Sequence, residues 1–151
     1  MEKLNLNRVK SIRRRVLEKF KDQDSVYFEG RNNILLSAPH GVAQTRLGKH
    51  KVAELGTIPT GWILAEKTKC HLVIKTQNNF DDANFDENCE YRKRLAQIIK
   101  EKNIKYLIDI HGLAKKRNMD INIGTNFGNN VKNNPMLFEH LLSVLKKRFC
   151  C

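Results

Sequence analysis

Hydrophobic positions along the chain follow two spacings, one typical of amphipathic helices and one typical of buried strands. Apolar residues recur at intervals of three and four over about 7–21 and 59–69 and around 91–99 and 137–145, which predicts four helices. Short continuous apolar runs at 26–28, 34–38, 72–74 and 106–110 indicate strands that are buried on both faces. The alternating segment 120–124 predicts one more strand.

This order of strands and helices predicts an α/β protein. Strands that are separated by helices join through right-handed crossovers into a mostly parallel sheet with helices on both faces, a three-layer α/β/α sandwich. The chain has 151 residues, of which 40% are hydrophobic, so we interpret it as a single domain with one core. The polar segments between residues 38 and 59 and from 78 to 88 are predicted loops.

Composition indicates an intracellular setting. No apolar stretch is long enough to span a bilayer, and the N-terminus has no signal-peptide core, so we expect a cytoplasmic protein without a membrane partner. The four cysteines, Cys70, Cys89, Cys150 and Cys151, lack paired spacing, and adjacent cysteines form a disulfide poorly. We therefore expect reduced thiols.

A net charge of +12 favours weak, non-specific attraction to polyanions. The basic triplets are spread along the chain, and most such runs are solvated helix faces. A basic nucleic-acid-binding protein is an alternative interpretation. Against it, only 7% of the residues are aromatic and no nucleic-acid-binding motif is present.

Two histidines directly follow predicted strands. His40 comes after the run 34–38 and His111 comes after the run 106–110. Because the carboxyl ends of parallel strands open into one crevice, we expect the two imidazoles to converge there and bind a metal. A catalytic zinc commonly has three protein ligands, and Glu54 is the candidate for the third, since it lies in the loop after His40 and outside any apolar stripe. His50, in the same loop, is the rival ligand.

Three further polar residues are candidates for supporting the histidines or contacting a substrate. Asp109 ends an apolar strand, where an unpaired charge is costly, so it either accepts a hydrogen bond from a ligand imidazole or makes a structural hydrogen bond. Asp82 and Asn84 lie in the predicted loop 78–88 and either brace that loop or contact a substrate.

Four short motifs, in this order, resemble those of the N-formylglutamate amidohydrolase family over about residues 34–125. They are Pro39-His40-Gly41, Ala53-Glu54-Leu55-Gly56-Thr57, Asp82-Ala83-Asn84 and Asp109-Ile110-His111. The resemblance implies a fold related to the zinc carboxypeptidases and a zinc-dependent hydrolase of an amide bond. It also implies that His40, Glu54 and His111 occupy the metal-ligand positions.

The chain departs from the family pattern at three places. Glu54 stands where the family often has aspartate, and Phe85 stands where the family pattern has an arginine after the Asp-x-Asn triplet. That arginine would hold a substrate carboxylate, so Arg46, Arg92 or Arg94 is expected to supply the charge instead. Family members are also longer, and their catalytic glutamate lies beyond a late strand, so we expect the chain as given to be incomplete at its C-terminus.

The sequence thus predicts a zinc-dependent hydrolase that acts on small N-acylated amino acids or peptides. A second hypothesis is a non-catalytic remnant or fragment of this fold that retains metal or ligand binding. No general base is assigned, because none of the acids near the predicted loops is convincing: these are Glu66, Asp81, Asp82, Asp86 and Asp120. We therefore expect slow turnover or none.

Overall fold

The structure is a computed structural model that describes residues 5–113, 117, 119 and 121–149. The chain divides into two compact units, Met1–Gly112 and Leu113–Cys151. The first unit contains, in chain order, α1 (Leu6–Lys19), β1 (Ser25–Phe28), β2 (Ile34–Ala38), β3 (Gln44–Arg46), β4 (Lys49–Lys51), α2 (Thr57–Thr68), β5 (His71–Lys75), α3 (Glu90–Glu101) and β6 (Tyr106–Asp109).

Four of these strands form a mixed sheet in the order β1-β5-β2-β6. Strand β2 pairs in parallel with both β5 and β6, while β1 pairs antiparallel with β5. The α/β class is therefore confirmed. In the register of β2 and β6, Ser37 lies opposite Asp109, so the residues that follow these two strands leave the sheet at the same edge.

Apolar side chains on the central strands pack into two clusters. Leu36 and Leu72 lie in one cluster, which includes Val16 of α1 and Ile58 of α2. The other cluster includes Leu35 and Val73 with Tyr91, Leu95 and Ile98 of α3. Successive side chains of a strand point to opposite faces, which explains why neighbours such as Leu35 and Leu36 belong to different clusters. Burying an aliphatic side chain of this size stabilises the fold by about 1.5–3 kcal/mol.

Two details of the first unit were not predicted. The predicted loop between β2 and α2 contains an antiparallel hairpin, β3–β4, whose turn residues Leu47 and Gly48 both have positive φ. Helix α2 begins at Thr57, two residues earlier than predicted, and the Thr57 hydroxyl donates to the Glu54 carbonyl at 2.9 Å. Pro59 still lies in the first turn of α2, where the missing backbone N–H has no helical partner to lose.

The second unit contains α4 (Pro135–Phe149), which confirms the last predicted helix. The Asn134 side chain accepts a hydrogen bond from the Leu137 backbone N–H at 3.2 Å near the start of this helix. The strand predicted over 120–124 is wrong for residues 121–124, which have no regular structure, and Asp120 lies outside the described residues. Alternation alone does not make a strand, because a strand needs a neighbour to complete its ladder of hydrogen bonds.

In the part of the chain that the structure describes, no helix is long and apolar enough to cross a membrane.

Candidate metal centre

His40 lies directly beyond the carboxyl end of β2 and is buried. The loop that carries His40 packs closely on α2. A Cβ atom added at Gly41 would lie only 2.4 Å from Cγ1 of Ile58. On the other side, Arg13 of α1 donates to the Gly41 carbonyl at 3.1 Å. These contacts fix the backbone that directs the His40 ring.

Glu54 and His111 reach the same place from two other segments. The Glu54 backbone N–H donates to the His40 carbonyl at 2.9 Å, which holds the loop before α2 against the His40 loop. His111 follows β6, and the Ile110 N–H donates to the Ser37 carbonyl at 2.8 Å, so the contact with β2 continues to the edge of the sheet. The N–H of Gly112 donates to Oε2 of Glu54 at 2.7 Å.

The three side chains form one compact cluster. Glu54 Oε1 lies 3.1 Å from His40 Nδ1, and Glu54 Oε2 lies 3.4 Å from His111 Nδ1. The two imidazole rings cross edge to face with their centroids 4.9 Å apart. One ligand atom from each residue lies within 4.8 Å of the other two, so the cluster could hold a metal ion. Two imidazoles and one carboxylate are also a known ligand set of catalytic zinc.

Hydrogen bonding determines the charge of this cluster. Burial of Glu54 opposes its ionisation, but hydrogen bonds from His111, His40 and Gly112 outweigh burial and hold the pKa of Glu54 far below its usual value. Burial likewise opposes a charged His40, but its hydrogen bonds to Glu54 and Asp82 prevail and raise the pKa of His40. A metal binds neutral imidazole, so binding at His40 is expected to release protons and to strengthen as pH rises.

Asp82 is the carboxylate that orients His40. Its side chain is fully buried, and Oδ1 accepts a hydrogen bond from His40 Nε2 at 2.9 Å. Oδ2 accepts from Arg46 Nε at 2.8 Å and from Lys51 Nζ at 3.0 Å. Burial opposes ionisation of Asp82, but these three donors hold its pKa far below its usual value. With Nε2 bonded to Asp82, His40 presents Nδ1 to Glu54.

The loop around Asp82 is itself shaped by carboxylate hydrogen bonds. The Asp82 N–H donates to Oδ2 of Asp86 at 2.7 Å, and the Asn84 N–H donates to Oδ1 of Asp82 at 3.0 Å. Asn84 thus braces the loop through its backbone, while its side chain is exposed. Asp82 was expected either to brace the loop or to contact a substrate. In the structure, both of its carboxylate oxygens accept hydrogen bonds from protein donors, as bracing requires.

Other residues singled out from the sequence lie elsewhere. Asp109 ends β6 with an exposed side chain, and among the described residues it makes no hydrogen bond to either ligand histidine. His50 is exposed on β4 and is not part of the three-residue cluster. Arg92 is exposed on α3, and Arg94 donates to the Ser25 carbonyl at 2.9 Å. Glu66, one of the acids that was considered but not assigned as a base, pairs with Arg8 at 3.6 Å.

Arg46 contacts the residue at which the chain departs from the family pattern. Its guanidinium carbon lies 5.0 Å from the centroid of the Phe85 ring, so the cation is stacked beside that aromatic side chain. From the sequence, Arg46 was one of three arginines that could hold a substrate carboxylate, with no reason to prefer one of them. The roles of Lys51 and of the hairpin that carries both cations were missed, because the two short strands are polar and give no hydrophobic signal.

Comparison of the chain with protein-family models, with curated proteins and with solved structures finds no match. The geometry of the cluster therefore carries the functional argument.

Proposed function

We propose that this protein is a zinc-dependent hydrolase of amide bonds in small N-acylated amino acids or peptides. The observation that carries the proposal is the convergence of His40, Glu54 and His111 from three segments of the first unit onto one cluster. The motif order, similar to that of the N-formylglutamate amidohydrolase family, supports the reaction class.

In this proposal the fold is a three-layer α/β/α sandwich of the zinc carboxypeptidase type. It is supported by the two apolar clusters, one with α1 and α2 and the other with α3. It is also supported by the parallel pairing of β2 with β5 and β6. Ligands of open α/β sheets bind outside the carboxyl ends of such strands, which is where His40 and His111 follow β2 and β6.

The ligand residues and Asp82 have different roles in the proposed reaction. When bound, zinc supplies Lewis acidity, which polarises a carbonyl and lowers the pKa of a water to about 7. Glu54 stays ionised and, with His40 and His111, would hold the metal. The hydrogen bond to Asp82 keeps a proton on Nε2 of His40, so loss of the proton that Nδ1 donates to Glu54 would free the Nδ1 lone pair for a metal.

Arg46 is the proposed contact for a substrate carboxylate. Only its Nε atom bonds to Asp82, and its side chain remains 36% exposed. In the part of the chain that the structure describes, its two terminal nitrogens have no hydrogen-bond partner, and a guanidinium presents such a pair as a fork that matches a carboxylate. Asn84 and Arg92, both exposed, are the further substrate contacts in this proposal.

Metal analysis of variants tests the ligand set. We expect about one zinc per chain in the wild type, and a sharp loss in both His40→Ala and His111→Ala. His50→Ala is the matched control, because His50 is exposed on β4 in the segment between His40 and Glu54 and lies outside the cluster. Equal zinc content in all three variants would refute the assignment.

A second candidate function is metal binding without catalysis. It is favoured by the low pKa values of Glu54 and Asp82, since a general base works best with a pKa near the working pH. Zinc-loaded wild-type protein that binds an N-acylated amino acid without cleaving it would support this second candidate over the first.

A further inference from the structure

A fully buried lysine lies beside the loop that carries Asp82. Lys75 ends β5, and its Nζ lies 2.8 Å from Oδ1 of Asp24 and 3.1 Å from Oδ1 of Asp81. The Tyr91 ring lies over the same ammonium group, 5.9 Å away. Lysine is almost never fully buried unless it is paired, because removing an ammonium group from water is costly. This ammonium group therefore holds both carboxylates in place.

Asp81 and Asp82 are adjacent in the chain, but their side chains have different partners. The Asp81 side chain is held by Lys75, whereas the Asp82 side chain is held by His40. The Asp81 carbonyl also accepts a hydrogen bond from the Thr45 N–H at 2.9 Å, which ties this loop to β3. Because the two aspartates share one peptide bond, an anchor on Asp81 also limits where Asp82 can lie.

We propose that Lys75 is a positioning residue for the candidate metal centre. By holding Asp81, it places Asp82 against Nε2 of His40 and so keeps Nδ1 of His40 directed at Glu54. Lys75 does not touch the three ligands themselves. The proposal rests on the proposed metal site for its effect on zinc, but its effect on His40 exists in the metal-free protein as well.

A lysine is needed for this role because a hydrophobic side chain would fill the same space without directing the loop. Replacing a buried ion pair by well-packed apolar residues is often neutral for stability. Stability alone therefore does not require the charge at Lys75. Its bonds to Asp24 and Asp81 come from two different loops, one before β1 and one after β5, so the ammonium group sets their relative position.

The first test uses nitrogen-15 NMR of the His40 ring in metal-free protein. We expect the wild type to show a proton on Nε2 that is hydrogen-bonded to Asp82. In Lys75→Met this signal should shift towards that of a solvent-exchanging imidazole. Ile98→Ala is the matched control, because it truncates a buried side chain of α3 and leaves Lys75, Asp81 and Asp82 unchanged, and it should keep the wild-type signal. An unchanged His40 signal in Lys75→Met overturns the proposal.

The second test is zinc affinity, measured by competition with a chelator. We expect the Kd for zinc to rise about tenfold in Lys75→Met, as is typical when support of a ligand is lost, and to stay unchanged in Ile98→Ala. Asp81→Asn keeps Lys75 paired with Asp24, so it serves if Lys75→Met does not fold, and a smaller rise is expected. Equal Kd values in Ile98→Ala and the Lys75 or Asp81 variant contradict the proposal.

The two proposals fail in different ways. If wild-type protein binds no zinc, the proposed function is wrong, and the His40 signal in metal-free protein still decides the role of Lys75. If zinc binds normally to Lys75→Met and the His40 signal is unchanged, the proposed function stands and Lys75 is only a structural residue. The double variant Lys75→Met/Asp81→Asn should raise the Kd for zinc no more than Lys75→Met alone, since both substitutions break the same contact.

Discussion

Three side chains donate hydrogen bonds to the two carboxylate oxygens of Asp82. Its bonds to His40, Arg46 and Lys51 are charge-assisted and lie at a fully buried carboxylate. Removing such a carboxylate leaves its partners uncompensated, and the cost then exceeds that of a single lost hydrogen bond. Asp82 is therefore expected to matter for stability as well as for the orientation of His40.

The pH dependence of stability tests this role. The pKa of Asp82 in the folded protein lies below its unfolded value of about 3.9, so its contribution is fully present above that value and is lost as pH falls through the folded pKa. Asp82→Asn should lower the free energy of unfolding at neutral pH by about 3 kcal/mol. Below about pH 4, the free energy of unfolding should fall less steeply with pH in the variant than in the wild type. Urea unfolding of metal-free protein at several pH values measures both effects.

The exposed Asp22 gives the matched control for this prediction. Asp22→Asn should change the free energy of unfolding at neutral pH by less than about 0.5 kcal/mol. Parallel curves for wild type and Asp82→Asn in the acid range would show that the pKa of Asp82 is not lowered in the folded protein.

Gly112 is expected to matter for zinc binding more than for folding. A Cβ atom at this position would lie 3.1 Å from Cβ and 3.2 Å from Cγ of Glu54, so Gly112→Ala displaces the carboxylate that bridges the two histidines. We expect the Kd for zinc to rise about tenfold, with a change of less than about 0.5 kcal/mol in the free energy of unfolding. At Gly56 a Cβ atom meets nothing within 4 Å, so Gly56→Ala should bind zinc normally. The same Kd in both variants would contradict the prediction.

At the scale of single residues, the sequence predicted which side chains come together but not which hydrogen bonds orient them. His40 and His111 follow strands whose ends share one edge, so their convergence follows from topology. The carboxylate that orients His40 was sought at Asp109, which is adjacent to the strand, whereas Asp82 reaches it from a loop 42 positions away. No local pattern marks such a contact, because it depends on how two irregular segments fold against each other.

At the scale of elements, the β3–β4 hairpin places two cations beside Asp82. Gln44 is buried, and its Oε1 accepts a hydrogen bond from the Ala83 N–H at 3.2 Å, which anchors β3 to the Asp82 loop. Arg46 is two residues further along β3, so its side chain leaves on the same face as that of Gln44. In the hairpin register Gln44 lies opposite Lys51, which brings this second cation to the same carboxylate.

Arg46 is predicted to recognise a substrate carboxylate. In zinc-loaded protein, Arg46→Met should weaken binding of an N-acylated amino acid by about 10- to 100-fold, the range for a lost hydrogen bond to a charged group. Arg14→Met is the control, since Arg14 is exposed on α1 and has no role in the proposed site. Calorimetry with the free acid and with its carboxamide separates charge recognition from indirect effects on Asp82.

A loss of affinity for the acid that is equalled by a loss for the carboxamide would contradict this role of Arg46. It would show that the variant acts by disturbing Asp82 and His40, because the carboxamide offers no negative charge to the guanidinium.

Helices and central strands were predictable because each carries an apolar pattern that matches its period. The hairpin was not, because its residues are mostly polar and its turn, Leu47–Gly48, lacks the usual Asn-Gly or Asp-Gly signal. The strand expected over 120–124 shows the reverse error. An alternating pattern was present, but residues 121–124 have no strand partner among the described residues.

At the scale of the whole molecule, the net charge of +12 predicts weak, salt-sensitive binding to polyanions. Counterion release makes such binding fall steeply between about 50 and 200 mM salt. A fluorescence titration with two duplexes of unrelated sequence should give equal affinities that collapse together as salt rises. Tight binding that distinguishes the two sequences at physiological salt would favour a nucleic-acid-binding protein over a hydrolase.

The balance of charge around the candidate site predicts slow catalysis. Among the residues that the structure describes, the carboxylates hydrogen-bonded to the ligand histidines are Glu54 and Asp82, and both have pKa values far below neutral. Both are also fully engaged by donors, so neither is suited to take a proton from water and pass it to a leaving amine. General acid–base help is typically worth about 10² to 10⁴ in rate.

We therefore expect zinc-loaded protein to cleave N-acylated amino acids at least about 10²-fold more slowly than the median enzyme rate of about 10 per second. Product formation, followed by chromatography, measures this rate, and zinc-treated His40→Ala gives the background, because that variant lacks a ligand. A slow rate above that background would fit a site with metal ligands but no matched base. Turnover near the median rate would contradict the prediction, because it would require a base other than Glu54 and Asp82.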